Sequence, residues 1–243
     1  MRKIFTDGLV IFISIFASFS VENYREANIE KGILNDAVIT LGEEMVSNID
    51  YTKEHLKQVK NIHYINDKVI NNFNTISSKE IFESHSTNPY VHVFNIDGEI
   101  SYVKKYNDES ILNILGSWNA WEPEKVFFES MLNSGKLLEI KNKKLRKEIE
   151  SIYTKQQERV NGMALATKNH TDNAMNWFLD TQNKYNYDIS NNIIFDKHRS
   201  QELKNILKTK AIILELRISD LENYLQSIQN VVLLISSEYK KLD

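Results

Sequence analysis

Apolar residues follow several distinct patterns along the chain, and the first is a continuous run near its start. Residues 4–21 are almost all apolar: Asp7 is the one charged residue, and an uncharged stretch begins at Gly8 and ends at Val21. As a helix this segment would extend about 27 Å, close to the roughly 30 Å of a bilayer's hydrocarbon core. Polar residues follow directly, in the order Glu22, Asn23 and Tyr24. The run therefore predicts a membrane anchor over residues 1–21.

The second pattern extends from Glu22 to about Asn74 and has the period of an amphipathic helix. Its apolar residues recur at spacings of three, four or seven, at Leu34, Val38, Leu41, Met45, Ile49, Leu56, Val59, Ile70 and Phe73. Thr52, His63 and Asn66 lie on or beside this stripe. They either specify the register or the partner of the helix or, as we favour, form the partly exposed edge of a groove. The polar residues 74–86 should end the helix.

The third pattern is a heptad repeat in a helix predicted from about Ser200 to Lys241. Its first apolar row is Leu207, Leu214, Leu221, Ile228 and Ile235, and its second row is Ala211, Ile218, Leu225, Val232 and Tyr239. In this register Lys210 and Arg217 occupy the flanking g positions, with Glu215 and Glu222 at e. The seam is a candidate surface for a protein partner or a second copy, but its wide apolar face favours packing on the first long helix of the same chain.

Shorter elements connect the two long helices. Residues 90–103 read YVHVFNIDGEISYV and predict a small hairpin that turns at Asp97-Gly98. We expect Asp108 to cap a short helix ending at Gly116, and Pro123 to open the next helix. Gly135 should follow the end of that helix, Asn142 should cap another that continues towards Asp180, and residues 184–196 should form a connector.

Composition supports an all-α fold. The chain has only 2 prolines and 7 glycines among its 243 residues, too few for the many turns of a strand-rich protein. We therefore predict an anchor over residues 1–21 and a helical-bundle domain over residues 22–243, with the hairpin as its one β element. The net charge of −3 gives no general attraction to nucleic acid.

The anchor interpretation has two alternatives, a cleaved export signal and a buried helix of a soluble domain. Arg2 and Lys3 form a basic start, and Ser18 and Ser20 are small residues at suitable cleavage positions. We favour an uncleaved anchor because residues 22–31 contain no Pro or Gly, so the helix should continue beyond the run. Asp7 either marks the start of the span or pairs with a basic residue of a partner subunit. Basic residues flank the run on both sides, so the sidedness of the domain is open.

Two separate stretches carry a family resemblance. Residues 17–26 read ASFSVENYRE, and residues 127–153 read FFESMLNSGKLLEIKNKKLRKEIESIY, with a helix, a Ser-Gly turn, an Ile-Lys-Asn step and a second helix. In this order they resemble an uncharacterised family of bacterial single-pass membrane proteins, a domain-of-unknown-function group in which Trp is more common than Tyr at the position of Tyr24. The resemblance implies a helical domain anchored in the bacterial inner membrane, and it supplies no reaction.

Residue types and spacings point to no catalytic residue, metal ligand or cofactor. The chain has no Cys, which excludes disulfides and thiolate chemistry. No two of its six His are four residues apart, no HExxH is present, and the Gly-Lys of residues 134–137 lacks the other glycines of a phosphate loop. Paired carboxylates such as Glu43 and Glu44 are expected to be solvated.

We therefore expect a structural or interaction protein of a membrane, an accessory subunit or homo-oligomer, without enzymatic activity. Its partners would be the lipid bilayer and a protein, and neither nucleic acid nor metal. The main alternative is a ligand-sensing helical domain with a pocket near Trp118, Trp121 and Phe127, although these aromatic residues more commonly pack a loop onto a bundle. An enzyme is the third interpretation.

Overall fold

The computed structural model describes residues 2–90, 92–96, 99–102, 104, 111–188 and 192–239, with side chains described from Ile13 onward except over residues 92–100. The regular secondary structure of the described chain is helical apart from one hairpin, which confirms the all-α prediction. In order, its elements are α1 (Arg2–Asn71), α2 (Ser78–Thr87), β1 (His92–Ile96), β2 (Glu99–Tyr102), α3 (Ile111–Leu115), α4 (Val126–Asn133), α5 (Lys136–Glu139), α6 (Lys143–Ser151), α7 (Gln157–Tyr185), α8 (Ile193–His198) and α9 (Gln201–Glu238). A short π-helical segment, Ile152–Gln156, joins α6 to α7.

The predicted hairpin is present. Strands β1 and β2 are antiparallel, with Ile96 opposite Glu99 and Asn95 opposite Ile100, and the register shifts once towards His92. The predicted turn at Asp97-Gly98 and the predicted cap Asp108 lie outside the described residues.

Helix α1 is longer than the predicted amphipathic helix because it already begins at Arg2 and continues through Val21 and Glu22 without a break. This continuity agrees with the absence of Pro and Gly from residues 22–31. Within the described part of the chain, no helix combines the length and the apolar character that a membrane crossing requires.

The chain forms two compact units, each built from segments that are distant in sequence. The terminal unit comprises Met1–Val46, Lys125–Glu148 and Val231–Asp243, and the central unit comprises Ser47–Glu124 and Ile149–Asn230.

In the terminal unit, α1 supplies the cap of α4. The buried Glu44 carboxylate accepts hydrogen bonds from the backbone N–H groups of Phe127 at 2.7 Å and Phe128 at 3.4 Å. The expectation that Glu44 is solvated is therefore wrong, because a carboxylate satisfies the free N–H groups at a helix start. Gly135 follows α4 with φ of +76°, and Asn142 Oδ1 accepts from the backbone N–H groups of Lys144 and Leu145, as predicted.

The burial of α9 corrects the predicted heptad register. The first predicted row is buried, but Ala211, Ile218 and Val232 of the second row are only partly buried. The helix instead buries the row that follows the first by three residues, which consists of Leu203, Lys210, Arg217, Tyr224 and Val231. The two charged residues predicted to flank the seam therefore belong to the interior. Packing on α1 is direct in the central unit, where Asn66 Nδ2 donates to the Leu207 carbonyl at 2.8 Å.

Two short helices lie where the sequence predicted a polar segment, residues 74–86, and a connector, residues 184–196. Helix α2 begins with a capping box, in which Ser77 Oγ accepts from the Glu80 N–H and the Glu80 carboxylate accepts from the Ser77 N–H. Asp196 of α8 accepts from the backbone N–H and the hydroxyl of Ser78 at 2.9 and 2.7 Å. Both helices are too short for the apolar period to identify them.

Candidate functional site

An irregular segment crosses the central unit between α3 and α4. We call residues 117–124 the strap. Its sequence is SWNAWEPE, and none of these residues is helical. A non-helical segment in a helical unit cannot pair its backbone groups along its own helix, so those groups need other partners. The long helices on either side supply them.

Polar side chains on one face of α1 hold the second half of the strap. Asn48 Nδ2 donates to the Glu124 carbonyl at 2.7 Å, and Asn48 Oδ1 accepts from the Glu124 N–H at 2.8 Å. One helical turn later, the Tyr51 hydroxyl accepts from the Glu122 N–H at 2.9 Å. Since Asn48, Tyr51 and Thr52 are three and four residues apart, they lie on the same side of α1.

Trp121 is anchored by the same face. Its indole Nε1 donates to Thr52 Oγ1 at 3.2 Å, and its ring packs edge-on against Tyr224 with 4.9 Å between ring centroids. Thr52 and Asn66 are both buried, which corrects their interpretation as a groove edge. A buried polar group needs a defined partner, and each of these residues has one.

The two interior cations of α9 hold the first half of the strap. Lys210 Nζ donates to the carbonyls of Leu115 and Ser117 at 2.8 and 2.9 Å, and Arg217 donates to the carbonyl of Asn119. Burial lowers the pKa of Lys210 to about 7. It lowers the pKa of Arg217 to about 10. Carbonyl oxygens thus take the place that a carboxylate would occupy in an ion pair.

Arg217 also contacts the imidazole of His55, with 2.9 Å between Nη2 and Nε2. A guanidinium group only donates hydrogen bonds, so His55 Nε2 must accept and carries no proton. Within the described residues, Arg217 Nε and Nη1 are buried and make no hydrogen bond. Burial also raises the pKa of the neighbouring Tyr51. The cluster is rich in titratable groups, but it lies in a packed interior.

Neither of two surface grooves on the described chain reaches this cluster. The groove of the central unit has a volume of about 890 Å³ and lies along α7, α8 and the start of α9. The groove of the terminal unit has a volume of about 470 Å³, and its lining consists of Ile39, Gly42, Glu43, Val46, Val232, Ile235, Ser236 and Tyr239. No residue of the strap lines either of these two grooves.

The three aromatic residues predicted to surround a pocket have different environments. Trp121 is buried, Trp118 is partly buried, and Phe127 is exposed at the start of α4 in the terminal unit. None of them lines either groove. Trp121 instead fixes the strap by its hydrogen bond to Thr52.

The strap was not predicted from the sequence, because the residues that bind it interrupt the apolar stripes of α1 and α9. Asn48, His55 and Gln58 lie between stripe residues and are buried, and Gln58 Oε1 accepts from the Asn119 side chain. Polar residues at positions within an apolar stripe were the sequence signal that could have indicated the strap. Among the described residues, no group of three His, Asp or Glu side chains is placed to hold a metal ion.

Comparison with known proteins does not assign the chain to a family. Protein-family models, curated proteins and solved structures all give no match to this chain. The resemblance to a family of bacterial membrane proteins therefore remains a prediction from the residues that carry it.

Proposed function

We propose that the protein is a membrane-anchored structural or interaction protein of the bacterial inner membrane, held by residues 4–21 and binding a protein partner through its terminal unit. The observation that carries the proposal is the exposure of the described part of the apolar run. Every residue from 13 to 21 is exposed, including Ile13, Phe16, Phe19 and Val21. A helix that exposes apolar side chains all round needs a nonaqueous environment to cover them.

The polar residues of the run support the same assignment. Ser18 Oγ donates to the Ser14 carbonyl at 2.9 Å, and Ser20 Oγ donates to the Phe16 carbonyl at 2.8 Å. Hydroxyl groups that are satisfied inside their own helix are compatible with lipid, where no water is available. Tyr24 is 72% exposed just after the run, at the place of an interfacial aromatic.

The partner site is supported by further exposed apolar residues of the terminal unit. Helix α4 exposes Val126, Phe127 and Leu132, and α5 exposes Leu138. These four side chains lie within 13 residues of one another in the sequence. Apolar residues clustered on an exposed segment commonly mark an interaction surface.

The anchor is tested by expressing the full chain in bacteria and measuring its partition between washed membranes and supernatant. We expect wild type in the membrane fraction and the double variant Ile13→Lys/Phe16→Lys in the supernatant, because a charge near the centre of the hydrocarbon region costs roughly 2.5–3.5 kcal/mol per residue. The matched control is Ile212→Lys/Leu216→Lys on exposed positions of α9, which should stay with membranes. Wild type in the supernatant would contradict the proposal.

Two further measurements complete the test of the anchor. The intact mass of the membrane-bound protein distinguishes a retained anchor from cleavage after Ser20. Because the natural chain has no Cys, a single Ser237→Cys variant reports sidedness through its labelling by a membrane-impermeant maleimide.

Cross-linking in native membranes, with Leu132→Asp/Leu138→Asp as the variant, tests the partner surface. A single species at the monomer mass in wild type would overturn the interaction part of the proposal.

A further inference from the structure

The groove of the central unit is bounded on one side by a face of α7 and on the other by the end of α8 and the start of α9. Its volume of about 890 Å³ falls in the range of ligand sites, which is roughly 300–1,000 Å³. Its α7 wall consists of Asn173, Asn176, Trp177, Asp180, Thr181, Lys184 and Tyr185, and its opposite wall consists of His198, Ser200, Glu202, Asn205 and Ile206. The spacings of three and four residues place the first group on a single side of α7.

Hydrogen bonds fix the two walls of the groove in position. Trp177 Nε1 donates to Ser200 Oγ at 3.0 Å and ties the two walls together. Arg199 donates to the carbonyls of Phe73 and Ile76 at 2.7 and 2.6 Å, which fixes the joining segment. A wall positioned in this way needs little reordering when a ligand binds.

An aromatic stack closes one end of the groove. The rings of Tyr185 and His198 are nearly parallel, with 3.8 Å between centroids, and the Tyr187 hydroxyl lies 3.3 Å from His198 Nε2. Tyr185 remains 43% exposed although it takes part in this stack and Lys184 Nζ lies 5.3 Å from its ring centroid. An exposed ring held by a second ring is a rigid apolar surface for a flat ligand face.

The charge and hydrogen-bonding groups of the lining select the ligand class. Among the described residues, Asn173, Asn176, Asp180 and Glu202 make no side-chain hydrogen bond within the chain, and all four are exposed. Two carboxylates face one lysine, so an anionic ligand is disfavoured. Carboxamides both donate and accept hydrogen bonds, and carboxylates accept them, which together suit the hydroxyl groups of a neutral ligand.

We propose that this groove binds a neutral oligosaccharide, with Asn173, Asn176 and Asp180 bonding its hydroxyl groups and Tyr185 packing on the apolar face of one sugar ring. This site belongs to the central unit and does not depend on the membrane anchor or on the partner surface. It gives the protein a ligand beyond the lipid and protein partners.

The test is isothermal titration calorimetry on the full chain in detergent, with maltotriose and triacetylchitotriose as the neutral probes and spermidine and pyrophosphate as charged ones. We expect saturable binding of at least one trisaccharide and none of pyrophosphate. Asn176→Ala should weaken this binding about tenfold, the loss of one or two hydrogen bonds. Asn230→Ala, an exposed asparagine of α9 outside the groove, should leave it unchanged.

A pair of variants at Asp180 separates a neutral ligand from a cation. Asp180→Asn keeps an acceptor and should retain most of the trisaccharide affinity, whereas Asp180→Ala should lose about tenfold. Binding of spermidine alone, abolished by Asp180→Asn, would overturn the proposal in favour of a cationic ligand. Absence of trisaccharide binding at millimolar concentrations would also overturn it, as would equal affinities of Asn176→Ala and Asn230→Ala.

Discussion

Asn48 and Glu124 form a closed pair in which one side-chain amide satisfies both backbone groups of one strap residue, at 2.7 and 2.8 Å. Asn48 is 1% exposed, whereas Glu124 is an exposed residue. The pair ties α1 to the end of the strap across 76 residues of sequence. It is the simplest example of how polar side chains organise the central unit.

Replacing Asn48 by Ala should lower the free energy of unfolding by about 1–3 kcal/mol, because the backbone N–H and C=O groups of Glu124 both lose their partner. Asn48→Asp should be no better than Ala, since a carboxylate cannot donate to the Glu124 carbonyl. Urea denaturation followed by circular dichroism measures both. Asn230→Ala is the control at an exposed helical position, and an equal loss there would show that the pair is not responsible.

Trp121→Phe should destabilise the protein by about 2 kcal/mol, because it removes the hydrogen bond to Thr52 and leaves a small cavity against Tyr224. The matched variant Trp118→Phe changes a partly buried ring with no hydrogen bond to the described chain, and we expect less than about 1 kcal/mol. Thermal unfolding of the two variants side by side is the measurement. Equal melting temperatures would contradict the role assigned to Trp121.

The burial of Lys210 predicts a defined dependence of stability on pH. Its pKa is lowered from 10.5 to about 7 in the folded protein, so between these values the unfolded chain binds a proton that the folded chain has released. Stability should therefore rise as the pH increases above about 7, by up to about 1.4 kcal/mol per pH unit. The cost of burying the charge is fully present below pH 7.

Lys210→Met isolates this contribution. The difference in unfolding free energy between wild type and the variant should shift in favour of wild type as the pH rises from about 7 to about 9. Other titrating groups are common to both proteins and cancel in the difference. Parallel stability curves over this interval would show that Lys210 keeps an ordinary pKa.

The same substitution at two glycines should have opposite effects. Gly135 has φ of +76° and follows α4, so Gly135→Ala should cost roughly 1 kcal/mol through backbone strain. Gly162 lies within α7 with open space around its Cα, so Gly162→Ala should stabilise by up to about 1 kcal/mol. At Gly135 the added methyl group also has open space, so the backbone alone accounts for the difference. Chemical denaturation measures the unfolding free energy of both variants. A stabilising effect of Gly135→Ala would contradict the left-handed backbone conformation of Gly135.

Elements specified by local interactions were predictable from particular residues. The hairpin at residues 92–102, the Asn142 cap and the Gly135 position all depend on a few adjacent residues, and the structure has each of them. Helices α2 and α8 were not predicted because each is short and the two are held together by a distant contact, Asp196 to Ser78. The strap could not be predicted because its partners are spread over α1 and α9.

The sequence by itself determined the helical class, the extent of the long helices and the apolar run at the start, because period, propensity and turn residues act over a few positions. The tertiary structure alone decided which rows of α9 face the interior. A charged residue belongs inside only when another segment brings acceptors to it, and for Lys210 those acceptors are carbonyls 95 and 93 residues away. No local pattern contains that information, since the acceptors are backbone oxygens that any residue type supplies.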